Sequence, residues 1–183
     1  MCSELSSWLK EHYPEGKSDL FAAFVVRCLN MGAAQGHIGM MTPFVWMFIS
    51  SYEPLRKMIL NTKTITSLIQ LEYSGFEGAT VPICTFTLKN THSSHYEGGY
   101  IRLSDFKGPK HQAPNALKAI KNPNCGWFFR CSSQQLKLIP SLPIAYWASA
   151  KLRAAFQYPP IGEQHPGSFG MSTGDLSAIH RWY

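Results

Sequence analysis

Apolar positions in the first half of the chain recur at helical spacing and then in short unbroken runs. Between Ser3 and Tyr13, Leu5, Trp8 and Leu9 share one helical face, Ser3 is a plausible cap, and Pro14-Glu15-Gly16 ends the run. From Ser18 onward, Leu20, Phe21, Phe24, Val25, Cys28 and Leu29 make a broad helical stripe. Ser18 is placed to cap that helix, Asp19 suits the dipole of its first turn, and Gly32 stands where a terminating glycine belongs. Residues 36–43 predict a short buried strand, and Ser50 or Ser51 opens another helix with Pro54 in its first turn and Leu55, Met58 and Ile59 facing inward. Residues 65–71 and 82–88 predict two further strands around a loop at 72–78. Apolar strands alternating with helices predict a parallel sheet covered on both faces, and the order α-α-β-α-β-β fits the later half of an α/β fold.

The texture changes after Asn90. Residues 98–103 and 127–131 predict strands, 108–123 a proline-bearing basic loop, and Pro143 opens a helix running to about Phe156. Residues 158–183 carry no periodicity. The expectation is therefore an α/β core over residues 1–90, followed over 91–183 by a partial mixed α+β extension.

Composition narrows the class. With 183 residues, 45% of them hydrophobic and only 15% charged, the chain can bury a real core and is not disordered. Residues 30–52 lack a charged side chain, yet Gly32, Gly36, Gly39 and Pro43 interrupt them, so a buried strand and loop is expected there and no membrane span. Cys2, Cys28, Cys84, Cys125 and Cys131 form no CxxC pair and follow no signal peptide, which predicts free thiols in a cytoplasmic protein. Charge is uneven. Residues 1–88 hold six Lys+Arg against seven Asp+Glu, whereas residues 89–183 hold eleven against four. A near-neutral half joined to a basic half suits a core carrying a polyanion-binding extension, and equally suits a solvated lysine face.

Short motifs alone give no chemistry. There is no Gly-rich phosphate loop, no GxSxG and no HExxH, and the His92-x-x-His95 pair near Cys84 lacks a fourth ligand, so no metal is expected. Their order is more informative. The run Lys17-Ser18-Asp19-Leu20-Phe21-Ala22-Ala23-Phe24 is followed by Gly36-His37-Ile38-Gly39-Met40-Met41-Thr42-Pro43, then by Trp46-Met47-Phe48 and Leu55-Arg56. This series resembles the stretch after the NPPY catalytic loop in gamma-type adenine-specific DNA methyltransferases, and most closely the PglX-like enzymes of BREX phage-exclusion systems. Their pattern reads KSDLFAxF, GxxGMIT, WMFLSSYExLR. Residues 139–147, Ile-Pro-Ser-Leu-Pro-Ile-Ala-Tyr-Trp, resemble the family's IPGxPIAYW element, and Thr173-Gly174-Asp175 with Arg181 resemble its TGDN element, although Leu176 replaces the asparagine.

The resemblance implies an incomplete Rossmann-like methyltransferase core, with S-adenosylmethionine as cofactor and double-stranded DNA as substrate. It also implies a fragment, because neither the cofactor loop nor NPPY occurs in the chain. The alternatives are a DNA-binding subunit of a split methyltransferase, completed by a separately encoded N-terminal half, or the inert product of a truncated gene. Adenine N6 methylation extrudes the base from the duplex. By the resemblance, Phe76 covers one face of that base, though a glycine-flanked aromatic also serves as core. Leu20 and Phe24 lie where the family packs against the cofactor's adenine ring. Lys107, Lys110, Lys118, Lys121 and Arg130, interleaved with Trp127 and Phe128, would begin the target-recognition region and contact phosphates.

Overall fold

A computed structural model describes residues 2–76, 78 and 81–164, with the side chains of Ile161 and Gln164 excepted. The TGD element at 173–175, Leu176 and Arg181 lie outside the described residues. Five strands form one sheet: β1 (His37–Pro43), β2 (Thr64–Gln70), β3 (Ile83–Lys89), β4 (Glu97–Arg102) and β5 (Phe128–Ser132), in the order β1-β3-β2-β4-β5. The helices are α1 (Ser3–His12), α2 (Leu20–Met31), α3 (Glu53–Thr62), α4 (Pro109–Lys121), α5 (Ser133–Leu136), α6 (Ala150–Ala155) and α7 (Ile161–Gln164).

The sheet is mixed, which corrects the expectation of parallel strands. β3 is antiparallel to both β1 and β2, β4 is parallel to β2, and β5 is antiparallel to β4. The cause is local. Among the described residues no helix separates β2 from β3, so the chain folds straight back, whereas a parallel pair needs a long crossover. β4 and β5 extend the same sheet, so residue 90 coincides with no break in strand pairing.

Alternation along the strands divides the core between two faces. Ile65 and Leu68 of β2, Cys84, Phe86 and Leu88 of β3, and Tyr100 of β4 belong to the larger cluster, with Val25, Val26 and Leu29 of α2 and Leu55, Ile59 and Leu60 of α3. Ile101 and Leu103 lie on the opposite face with Ile69, Leu71 and Phe128, beneath Ala116 and Ala119 of α4. Toward β1 that second face is left to smaller or exposed residues, and Met41 there is 55% exposed.

Several boundaries differ from expectation. α1 starts after Cys2 rather than after a capping Ser3, and α2 starts after Asp19, while the Ser18 hydroxyl donates to the Ser51 carbonyl at 2.8 Å. Gly32 keeps an ordinary φ of −70°, so no left-handed cap conformation requires a glycine there. The basic stretch expected as loop is helix α4. Pro109 occupies its first turn, where no N–H is needed, and Pro114 forfeits one internal bond. The helix expected over 143–156 shrinks to α6. Residues 144–148 bury Ile144, Tyr146 and Ala148 at alternate positions, as an extended chain does, and Ser149 Oγ then caps α6 by accepting from the Leu152 N–H.

Candidate functional site

Strands β1, β2 and β4 run in the same direction, so their carboxyl ends share one rim of the sheet. In open α/β sheets that rim is where ligands bind. It carries the stretch after Pro43, the loop after Gln70 and the turn after Arg102.

The stretch after β1 is irregular and is fixed by Arg56 of α3, which is fully buried. Its Nη1 donates to the Trp46 and Ile49 carbonyls at 2.8 and 2.7 Å, and its Nε and Nη2 both donate to the Ser141 carbonyl, at 3.2 and 2.8 Å. The Ile144 N–H donates to the Met47 carbonyl at 2.9 Å. Two sequence stretches nearly a hundred residues apart, 46–56 and 139–147, are thus one structural unit. Burial lowers the Arg56 pKa, opposed by the charge of Glu53. This unit presents a row of rings: Phe44 on Phe48 at 6.0 Å, Phe48 on Trp147 at 5.5 Å, and Trp147 edge-on to Tyr146 at 4.9 Å. Tyr146 stacks on Tyr100 at 4.8 Å and donates its hydroxyl to Gln70 Oε1 at 2.8 Å.

The loop after β2 is clamped to α4. Gln112, nearly buried, accepts from the Glu72 N–H at 3.1 Å and donates to the Phe106 and Gly108 carbonyls. Glu72 Oε2 accepts from the Ser74 hydroxyl at 2.6 Å, the Ser74 N–H at 3.0 Å and the Gly108 N–H at 3.2 Å. Those bonds, the Ser74 hydroxyl first, hold the Glu72 pKa below the ordinary carboxylate range. Gly75 presses so close that a Cβ would meet Gln112 Oε1 at 2.8 Å. Phe76 follows this anchor and is 48% exposed at the rim.

Leu20 and Phe24 lie on the outer side of α2, away from the Val25–Leu29 core stripe. With Trp8, Tyr13 and Arg27 they line an open, mostly apolar groove of about 390 Å³. Phe24 is 56% exposed. Leu20 also borders a neighbouring depression with Ser18 and Asp19, which sets a carboxylate beside the groove. The lining suits a flat aromatic ring; Arg27 is the one charged side chain in the groove itself among the described residues.

The basic residues divide. Lys110, Lys118 and Lys121 share the exposed face of α4, opposite Gln112 and Ala119, and Lys107 is exposed in the turn after β4. Lys118 Nζ lies 5.2 Å from the Trp127 ring, and the Arg130 guanidinium on β5 lies 5.2 Å from the Phe128 ring. Sequence reasoning missed the Arg56 and Gln112 clamps. The ExLR spacing pointed to Arg56 without saying what it holds, and nothing in the sequence singles out Gln112.

A family model of Eco57I restriction-modification methylases matches residues 2–76. The adenine-specific methyltransferase PglX of Lacticaseibacillus casei (strain Zhang) is 33% identical over 189 aligned positions, covering all of this chain and 16% of that protein. BrxX of Escherichia coli O9:H4 (strain HS), also an adenine-specific methyltransferase, is 32% identical over 88% of the chain and 13% of its own length. Over its whole length the chain is similar to one segment of the Eco57I-type adenine-specific methyltransferases. It spans about one sixth or less of the curated relatives it matches. Among solved structures, a type I restriction-modification methyltransferase subunit from Streptococcus thermophilus aligns over 76% of this chain and 34% of its own, with a TM-score of 0.59 and 16% identity, a likeness of fold. Among the described residues, no helix is long and apolar enough to cross a membrane.

Proposed function

We propose that the chain forms the part of an S-adenosylmethionine-dependent adenine-N6 DNA methyltransferase that follows the catalytic tetrapeptide, together with the start of its target-recognition region. Residues 1–90 belong to the methyltransferase core and 91–183 to that region, in a restriction or phage-defence setting. The cofactor supplies an electrophilic methyl group. What this chain contributes is positioning. Phe76 stacks on one face of the extruded adenine, and Leu20 and Phe24 pack against the cofactor's adenine ring. Lys107, Lys110, Lys118, Lys121 and Arg130 hold the DNA backbone. Neither the Gly-rich loop nor the NPPY tetrapeptide occurs among these residues.

The observation that carries this reading is the half-exposed Phe76, fixed at the carboxyl rim by the Glu72 and Gln112 clamps rather than packed as core. Stacking of a base on an aromatic ring is worth about 1–3 kcal/mol, so Phe76→Ala should slow transfer roughly tenfold to a hundredfold. The test mixes the chain with a polypeptide carrying the upstream half of a PglX relative, labelled S-adenosylmethionine and duplex DNA. Transfer that needs both polypeptides, falls in Phe76→Ala and recovers in Phe76→Trp supports the reading. Incorporation by the chain alone, or a Phe76→Ala mixture as active as the parent, overturns it.

A further inference from the structure

One cation at the rim belongs to none of the predicted groups. Arg102 ends β4 and is in register with Gln70, which ends β2 and leads into the Phe76 loop; the Leu103 N–H donates to the Gln70 carbonyl at 2.9 Å. Arg102 and the Phe76 loop therefore leave the same end of two adjacent parallel strands. The Arg102 guanidinium lies 4.9 Å from the Trp147 ring centre. Trp147 is itself fixed edge-on by Phe48 and Tyr146, and Tyr146 by Gln70. Arg102 Nε donates to Ser104 Oγ at 2.9 Å. Ser104 Oγ donates in turn to Asp105 Oδ1, so that carboxylate accepts from the hydroxyl. Among the described residues, the two terminal nitrogens of Arg102 have no hydrogen-bond partner. The result is a flat cation with one face on an indole, one nitrogen tethered, and its outer fork of N–H donors unused.

A fork held in that way matches the oxygens of a phosphodiester, because a preorganised guanidinium loses little freedom on pairing and meets phosphate bidentately. Lys107, exposed in the turn that Arg102 opens, adds a second positive charge. We infer that Arg102, stacked on Trp147, is a DNA-phosphate ligand at the rim, gripping the strand beside the base presented to the Phe76 loop. The inference rests on the proposed DNA-acting function and assigns it a positioning residue. Arg102 lies on the sheet face opposite the α4 lysines, since its strand neighbour Tyr100 joins the larger core cluster and Ala119 of α4 the other. The α4 lysines cannot replace it.

The test titrates the full chain with fluorescent duplexes at several salt concentrations. Each neutralised phosphate contributes about 0.9 to the steepness of log K against log salt. Arg102→Gln should flatten the slope by about that amount, and Arg102→Lys, which keeps the charge, should preserve it. Charge removal at Lys110 and Lys118 should flatten the slope further in the Arg102→Gln background. Thermal unfolding of each variant monitors folding. If Arg102→Gln leaves the slope unchanged, or Arg102→Lys flattens it equally, the inference fails while the DNA reading stands. If the parent chain binds no duplex at any salt concentration, the DNA reading fails and takes this with it.

Discussion

Arg56 offers the sharpest test of how the rim is built. Its four hydrogen bonds reach three carbonyls, on Trp46, Ile49 and Ser141, in backbone that belongs to no long helix or strand. Irregular backbone must find partners for its polar groups, and here one side chain provides them. Arg56→Ala removes the donors and leaves the carbonyls in a pocket that water reaches poorly, since Trp46 and Met47 are almost fully buried. Each charged hydrogen bond is worth about 1.5–3 kcal/mol, but bonds sharing one guanidinium do not add. Leaving these buried acceptors unpaired costs about 1–3 kcal/mol each, so about 3–5 kcal/mol for the set. For a chain of this size the midpoint of thermal unfolding should fall by roughly 10 °C. Arg56→Lys should recover less than half of that loss, because one ammonium cannot span three carbonyls on two segments. Calorimetry of parent and variants measures both. A fall below about 2 °C for Arg56→Ala, or full recovery in Arg56→Lys, would refute the reasoning.

Three further outcomes follow from single residues. Burial pushes the Cys84 thiol up to about 11 and raises that of Cys131, so alkylation near pH 8 should label Cys2, Cys28 and Cys125 and spare both until the protein unfolds; mass spectrometry reads the sites. Glu72 has a lowered folded pKa, so the anchoring it gives the Phe76 loop is complete above the ordinary carboxylate range and lost as pH falls through the folded value; the protection of the Ser74 and Gly108 amides, relative to an unstructured amide at the same pH, should fall in acid, and in Glu72→Gln at neutral pH, while the β3 amides stay protected. Ser141 has a φ of 61°, a left-handed conformation that costs a side chain about 1 kcal/mol or more, so Ser141→Gly should leave stability unchanged or raise it by up to about 1 kcal/mol in urea unfolding, whereas Ser141→Val should lower it.

The elements with strong periodicity were legible. α2, β1, β2 and β3 fall within a few residues of where apolar spacing put them, because each buries one face against the same core. Strand direction was not legible. Burial on two faces makes an apolar run look the same in either orientation, and the return from β2 to β3 shows its sense only in the antiparallel pairing itself. α4 was misread for a different reason. Pro109 and Pro114 look like breakers, yet one stands where a helix has no N–H to lose, and the Asn115 side chain caps the His111 carbonyl nearby at 2.9 Å. The apolar stripe of α4 is also thin, since only Ala116 and Ala119 meet the small second cluster while Leu117 and Ile120 stay exposed.

The rim was legible only as a series of matched words, and the structure supplies the physical reason. Residues 44–52 and 139–148 are rich in apolar side chains but keep neither a helical nor a two-residue rhythm throughout, so periodicity assigns them no element. They are short 3-10 turns, Phe44–Met47 and Ser50–Tyr52, folded against an irregular segment. The backbone there is satisfied across the pair, by the Arg56 guanidinium and the Ile144 N–H on the Met47 carbonyl. That solution demands particular residues at particular distances rather than a type at every second or fourth position. It therefore leaves a specific string in the sequence where a helix or strand would leave a rhythm. The same solution explains why aromatic rings gather at this end of the sheet. With the backbone tied inward, Phe44, Phe48 and Trp147 are left half-buried along its surface, with Arg102 stacked on the last of them. An irregular, Arg-pinned rim is thus both what hides the site from periodicity and what places its rings beside the loop that carries Phe76.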